Sequence, residues 1–314
     1  MRPFEYIRPA SVAEAVNVLS ERGEDAFVLG GGSAAVVMLR LGVVRPECVV
    51  DLGGIEEMRG LQRNGGLHIG ALASIRSLEL DDGVRAAYPL LAEAASQVAN
   101  VRVRNVATVG GAVAYGEPQT DTPTALTASR ASVRIAGVSG ERSVPIDEFY
   151  IGPYETVLEQ GEIVSGIDVP EAPPHTGGAH IKFTVGSPEN KPVANASALV
   201  TVDPASSVCV AARVVMGAAG PVPVVADAAG ALLGDEPSPE RIKEIAAAAA
   251  DEADPIEDLR GPEWYKRRIL RIVVEQALTC ALQRARTYPA SSASRCRRSK
   301  RRIRPPGASS TWPT

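Results

Sequence analysis

Between Ser11 and Arg22 the apolar positions Val12, Ala15, Val16 and Leu19 recur at helical spacing, and Ser11 with Glu14 forms a capping box. An amphipathic helix is predicted there. The rhythm then changes. The short apolar runs "AFVLG" from Ala26 and "CVVDL" from Cys48 read as buried strands. "GLHIGALASIRSL" reads as a strand running into a turn and a helix, and Val84, Ala87, Tyr88, Leu91 and Val98 place a helix over 84–98. Further on, "TPTALTASR" fits a short helix and "ASVRIAGV" a strand. Alternation of this kind predicts a mixed α/β layer domain ending near residue 171.

"EAPPHTGG" (171–178) has the composition of a linker. Beyond it come three strand-like runs, "HIKFTV", "SALVTV" and "VCVAARVVMG", then helical patterns over about 239–253 and 263–283. Strands first and helices after predict a second, α+β domain.

Composition narrows the class. The chain has 314 residues and an ordinary balance of 45% hydrophobic and 22% charged residues, which fits about two globular domains. No apolar run reaches the roughly 18 residues that a membrane span needs, and no signal-peptide core opens the chain, so a cytoplasmic protein is expected. Cys48, Cys209, Cys280 and Cys296 are scattered, without the spacing of a zinc or iron–sulfur site. Charge is uneven: nine of the 33 Lys and Arg follow Gln283, where none of the 37 acids lies. Residues 284–314 therefore read as a basic, disordered tail, with nucleic-acid binding not expected of it.

Two glycine runs carry the candidate chemistry. "LGGGSA" (Leu29, Gly30, Gly31, Gly32, Ser33, Ala34) and "TVGGA" (Thr108, Val109, Gly110, Gly111, Ala112) both follow apolar segments. Glycine N–H groups can converge on an anion, and without Cβ atoms a diphosphate can approach the main chain. Neither GxGxxG nor GxxxxGK[ST] is present in the first run, which disfavours the common nicotinamide and triphosphate fingerprints. Two such runs, the second followed by Asp121, point to a dinucleotide held from both sides.

These paired runs, the approach "QVANVRVRNVATVGG" and the ending "RGPEWYKRRILRIVVEQAL" resemble the FAD-binding medium subunit of molybdenum hydroxylases of the carbon monoxide dehydrogenase and xanthine dehydrogenase type. The resemblance spans about residues 1–283. It implies an α+β fold: a two-part FAD-binding domain of the PCMH (vanillyl-alcohol oxidase-like) type over 1–175, with subdomains of about 1–57 and 58–175. A C-terminal domain over 179–283, with a three-stranded antiparallel sheet and helices, would follow. By the same resemblance Leu29 to Ala34 wrap the FAD diphosphate, while Thr108, Val109, Gly110 and Gly111 lie against the diphosphate and ribityl chain. Asp121 bonds a cofactor hydroxyl group, Val164 lines the flavin pocket and Lys182 stands near the flavin. Ala34 and Ala112 depart from the family, which places hydrogen-bonding side chains there.

The function implied is an FAD-carrying electron-transfer subunit without a catalytic acid, base or nucleophile. Its partners would be a molybdenum-cofactor large subunit and a [2Fe–2S] small subunit, in a dimer of heterotrimers, together with an external electron acceptor. The alternatives are a free-standing flavin oxidoreductase and a non-catalytic scaffold with a decayed FAD site.

Overall fold

The computed structural model describes residues 2–287. The chain opens with a parallel sheet of β1 (Glu5–Ile7), β2 (Ala26–Leu29) and β3 (Cys48–Asp51) in the order β1-β3-β2. Two crossover helices, α1 (Val12–Arg22) and α2 (Ala35–Leu41), connect these strands. The α1 helix starts at the capping box, where Ser11 Oγ accepts from the Glu14 N–H and Ala15, Val16 and Leu19 are buried. The Glu14 carboxylate reaches back to the Ala10 N–H at 2.8 Å.

The chain continues through β4 (Leu61–Arg63) and β5 (Gly66–Gly70) into α3 (Ile75–Leu80), α4 (Asp82–Ala87), α5 (Pro89–Gln97), α6 (Val101–Val106), α7 (Val109–Ala114) and α8 (Thr122–Ala128). It returns as β6 (Ser132–Gly137), β7 (Gly140–Pro145), the hairpin β8 (Tyr150–Gly152) with β9 (Glu155–Thr156), and β10 (Ile163–Pro170). These strands, the hairpin apart, form a five-stranded antiparallel sheet in the order β4-β5-β10-β6-β7. The helix expected over 84–98 is broken in two. Tyr88 closes α4 and Pro89 opens α5, because proline has no N–H to continue the first helix.

The C-terminal part is an antiparallel sheet of β11 (Thr176–Phe183), β12 (Ala194–Val202), β13 (Cys209–Gly217) and β14 (Val224–Val225), covered by α9 (Pro239–Asp251) and α10 (Glu263–Arg286). The fourth strand adds to the three expected ones. It has two residues behind Pro221 and Pro223, too few to show an alternating pattern. Side-chain alternation sorts the faces of this sheet. Ala179, Ile181 and Phe183 of β11, with Ala194, Ala196 and Ala198 of β12, join the core beneath α9 and α10. The intervening residues turn toward the first 170 residues, which have their own buried core.

The α10 helix runs three residues past Gln283, and Arg284 donates to the Glu93 carboxylate of α5 at 3.0 Å. Arg284 and Arg286 thus belong to the helix and not to the basic tail. The rest of that tail, 288–314, lies outside the described residues. In the first turn of α10, Lys266 is 1% exposed and pairs with Asp258 at 2.8 Å, while Gln119 Nε2 donates to the same carboxylate at 2.7 Å. Burial opposes the charge on Asp258, but these donors hold its carboxyl far below the usual range. The motif "EDLRGPEWYK" thereby ties the C-terminal part to the segment between α7 and α8.

Candidate functional site

Beyond β2 the first glycine run passes along the wall of a cavity of about 470 Å3. The backbone N–H groups of Gly30, Gly31, Gly32, Ser33 and Ala34 have no hydrogen-bond partner among the described residues. Ala34 stands at the cap position of α2 with no side-chain cap. A run of free N–H groups on a cavity wall favours an anion.

The second run is built differently. Val109–Ala114 is the helix α7, and its cap residue Thr108 accepts from the Gly111 N–H at 3.1 Å. The Val109 N–H donates to the Ala73 carbonyl and the Gly110 N–H to the Ala71 carbonyl, both at 2.9 Å. The backbone donors from Val109 to Ala112 are thus already engaged. The first run offers free donors; the second offers a surface and the Thr108 side chain.

The glycines also answer to the protein's own packing. A Cβ on Gly31 would stand 1.8 Å from the Val106 carbonyl oxygen, and one on Gly110 would stand 2.4 Å from the Ala71 Cβ. Side chains there would drive the segments apart. Their absence lets the two runs reach one cavity.

Opposite these runs, Asp121 precedes α8; it is 3% exposed and its side chain does not cap the helix. Its carboxylate is turned to the C-terminal sheet instead. Lys182 Nζ donates to Oδ2 at 2.7 Å and Asn195 Nδ2 to Oδ1 at 2.8 Å, with His180 Nε2 3.3 Å from Oδ1. Lys182 also donates to the Gln97 carbonyl at 2.7 Å, and His180 Nδ1 lies 2.8 Å from Ser197 Oγ. Register explains the cluster. His180 faces Ser197 and Lys182 faces Asn195 across β11 and β12, which makes four polar residues on one sheet face. Burial alone would raise the Asp121 carboxyl, yet the hydrogen bond with His180 and the Lys182 ammonium hold it below the usual carboxylate range.

Of the residues expected at the site, Gly30, Gly31, Gly32, Ser33, Ala34, Thr108, Gly110, Gly111, Asp121, Val164 and Lys182 all line this cavity. Leu29 ends β2 off the wall, and Val109 is fully buried in the core. Val164 sits at a bulge of β10. No motif in the sequence marks Thr122. It is 2% exposed, lines the cavity, and its hydroxyl has no hydrogen-bond partner among the described residues. Met58, Leu72 and Ile75 add an apolar side. Free N–H groups, an unpartnered hydroxyl and an apolar wall suit a ligand that joins an anionic linker to a flat ring system, as FAD does. His68, by contrast, is held structurally, with Nδ1 2.7 Å from Asp168 across the β5–β10 pair. Among the described residues no group of His, Cys, Asp and Glu could hold a metal ion, and no helix is long and apolar enough to cross a membrane.

Residues 2–172 match the model of the FAD-binding domain in molybdopterin dehydrogenases, and residues 189–281 that of the carbon monoxide dehydrogenase flavoprotein C-terminal domain. The chain is 35% identical over 283 residues to the carbon monoxide dehydrogenase medium chain of Hydrogenophaga pseudoflava, covering 90% of this chain and 98% of that one. It is 34% identical over 183 residues to the xanthine dehydrogenase FAD-binding subunit of Escherichia coli O157:H7, covering 57% and 62%. Among solved structures, carbon monoxide dehydrogenase from H. pseudoflava lacking the Mo-pyranopterin moiety of its molybdenum cofactor superposes with a TM-score of 0.87. That match has 35% identity and covers 90% of this chain and 99% of the other. The chain belongs to the family of FAD-binding medium subunits of molybdenum hydroxylases, of the carbon monoxide dehydrogenase and xanthine dehydrogenase type.

Proposed function

We propose that this chain is the FAD-carrying electron-transfer subunit of a cytoplasmic molybdenum hydroxylase. It takes electrons from the [2Fe–2S] clusters of a small partner subunit and passes them to an external acceptor. A molybdenum-cofactor large subunit completes the heterotrimer, and two heterotrimers pair. The observation that carries this reading is the run of free N–H groups from Gly30 to Ala34 on the wall of a large, partly apolar cavity.

In this reading the first run holds the diphosphate, with the Thr108 and Thr122 hydroxyls and the Asp121 carboxylate as further polar partners. Val164, Met58, Leu72 and Ile75 exclude water from the ring system. Lys182 is fixed in place because Asp121 and the Gln97 carbonyl both receive its hydrogen bonds. Bound FAD supplies reversible electron uptake, for which side chains offer no equivalent. The chain's own task is binding, orientation and electrostatics, so no side chain has to act as acid, base or nucleophile.

Affinity purification from the native host tests the assignment. A molybdenum-containing subunit and an iron–sulfur subunit should come down with the chain in equal amounts. Recovery of the chain alone, with FAD and a substrate oxidation of its own, would instead favour a free-standing flavin oxidoreductase.

A further inference from the structure

The connection between β11 and β12, residues 184–193, crosses from the C-terminal sheet to the cavity, where Glu189, Asn190, Lys191 and Pro192 form part of the wall. It is braced within itself. Asn190 Nδ2 donates to the Val185 carbonyl at 2.8 Å, and the Val193 N–H donates to the Phe183 carbonyl at 2.9 Å. Among the described residues two side-chain hydrogen bonds tie it to the first 170 residues. Lys191 Nζ pairs with the Glu117 carboxylate, and Asn100 Nδ2 donates to Glu189 Oε2 at 3.3 Å.

These two ties are unequal. The Glu117 side chain is 4% exposed, whereas that of Lys191 is 48% exposed. A carboxylate so withdrawn from water needs a charged partner, and Lys191 is the ammonium that reaches it. Glu117 is itself fixed by its neighbours. Gly116 takes φ +62 so that the turn can pass the β8–β9 hairpin, where the Tyr154 N–H donates to the Gly116 carbonyl at 2.8 Å. Tyr154, also at positive φ, packs edge-on against Tyr115 of the cavity wall, with ring centroids 5.1 Å apart. Glu117 is therefore an anchor on the first domain, aimed at a connection that forms part of the cavity wall.

We propose that Glu117 is a positioning residue for the cofactor: its buried carboxylate holds Lys191, and with it the β11–β12 connection, across the cavity. The clasp then sets how long a bound cofactor stays. This rests on the reading of the cavity as the FAD site.

Two measurements on the full chain test it. The first is the release rate of FAD into excess apo-acceptor protein, followed by flavin fluorescence. Lys191→Met should speed release about tenfold, the scale of one charge-assisted hydrogen bond. Lys191→Arg, which keeps the pair, should release FAD at the wild-type rate. A wild-type rate in Lys191→Met, or equal acceleration in Lys191→Arg, overturns the proposal. The second is hydrogen exchange over 184–193 in protein freed of FAD, where Lys191→Met and Glu117→Gln should both exchange faster than wild type. Unchanged exchange in both variants also overturns it. Wild-type protein that takes up no FAD would defeat the functional reading, and the exchange experiment would still judge the clasp.

Discussion

Lys182→Met probes the buried network around Asp121 most sharply. The Lys182 and Asp121 side chains are 4% and 3% exposed, and their 2.7 Å contact is the shortest of the three that Asp121 accepts. Methionine keeps most of the volume but leaves a buried carboxylate with only Asn195 and His180, and the Gln97 carbonyl without its donor. Breaking a buried pair from one side costs about 3–5 kcal/mol, and the two surviving donors place this case near the lower end. For a chain of this size that is a fall in Tm of about 5 °C. Asp121→Asn strands the ammonium instead and should cost a similar amount. The double variant leaves no buried charge unpaired, so it should recover about 2 kcal/mol relative to the sum of the single losses. Thermal and urea unfolding of the FAD-free chain at neutral pH give all three values. Losses that add within about 0.5 kcal/mol would refute the coupling, and with it the claim that this pair joins α8 to the C-terminal sheet.

Three other changes bear on the same site. Because the Asp121 carboxyl is held below its ordinary value, its contribution is complete above about pH 4 and is lost as pH falls further, so wild-type stability should decline more steeply there than that of Asp121→Asn. Acid titrations of the two proteins with parallel slopes would contradict this. Gly31→Ala would put its Cβ 1.8 Å from the Val106 carbonyl oxygen, a clash with backbone that no rotamer relieves, so it should lower Tm and abolish FAD uptake together; wild-type values for both would show that the two runs are not packed as described. Ala34→Ser restores a hydroxyl on the cavity wall beside free N–H groups and should tighten FAD severalfold in a binding titration, the scale of one net hydrogen bond. Unchanged or weaker binding would count against a diphosphate at this run.

Much of the scaffold was legible because period and punctuation agreed. Ser11 and Glu14 marked the start of α1, and the apolar runs at Ala26 and Cys48 became β2 and β3. The break at Pro89 was also written in the sequence, but the helical spacing of Val84, Tyr88 and Leu91 runs across it and hid it. The glycine runs were found, though half of their reason was not. That Gly31 meets Val106 and Gly110 meets Ala71 depends on contacts across 75 and 39 positions of chain, which no local pattern records. The partners of Asp121 were unread for the same cause. His180 with Lys182, and Asn195 with Ser197, are polar pairs at period two in otherwise apolar strands. That spacing marks one polar sheet face, but only the antiparallel register sets the two pairs opposite each other. Thr122 followed Asp121 without any feature to distinguish it from a helix-start threonine.

The most direct measurement is a titration of the purified, FAD-free chain with FAD, read by absorbance and flavin fluorescence. One FAD should bind per chain, with flavin bands at about 370 and 450 nm retained after gel filtration. Protein that stays colourless in excess FAD while remaining folded would contradict the assignment of the cavity between Gly30–Ala34 and Asp121 as a flavin site.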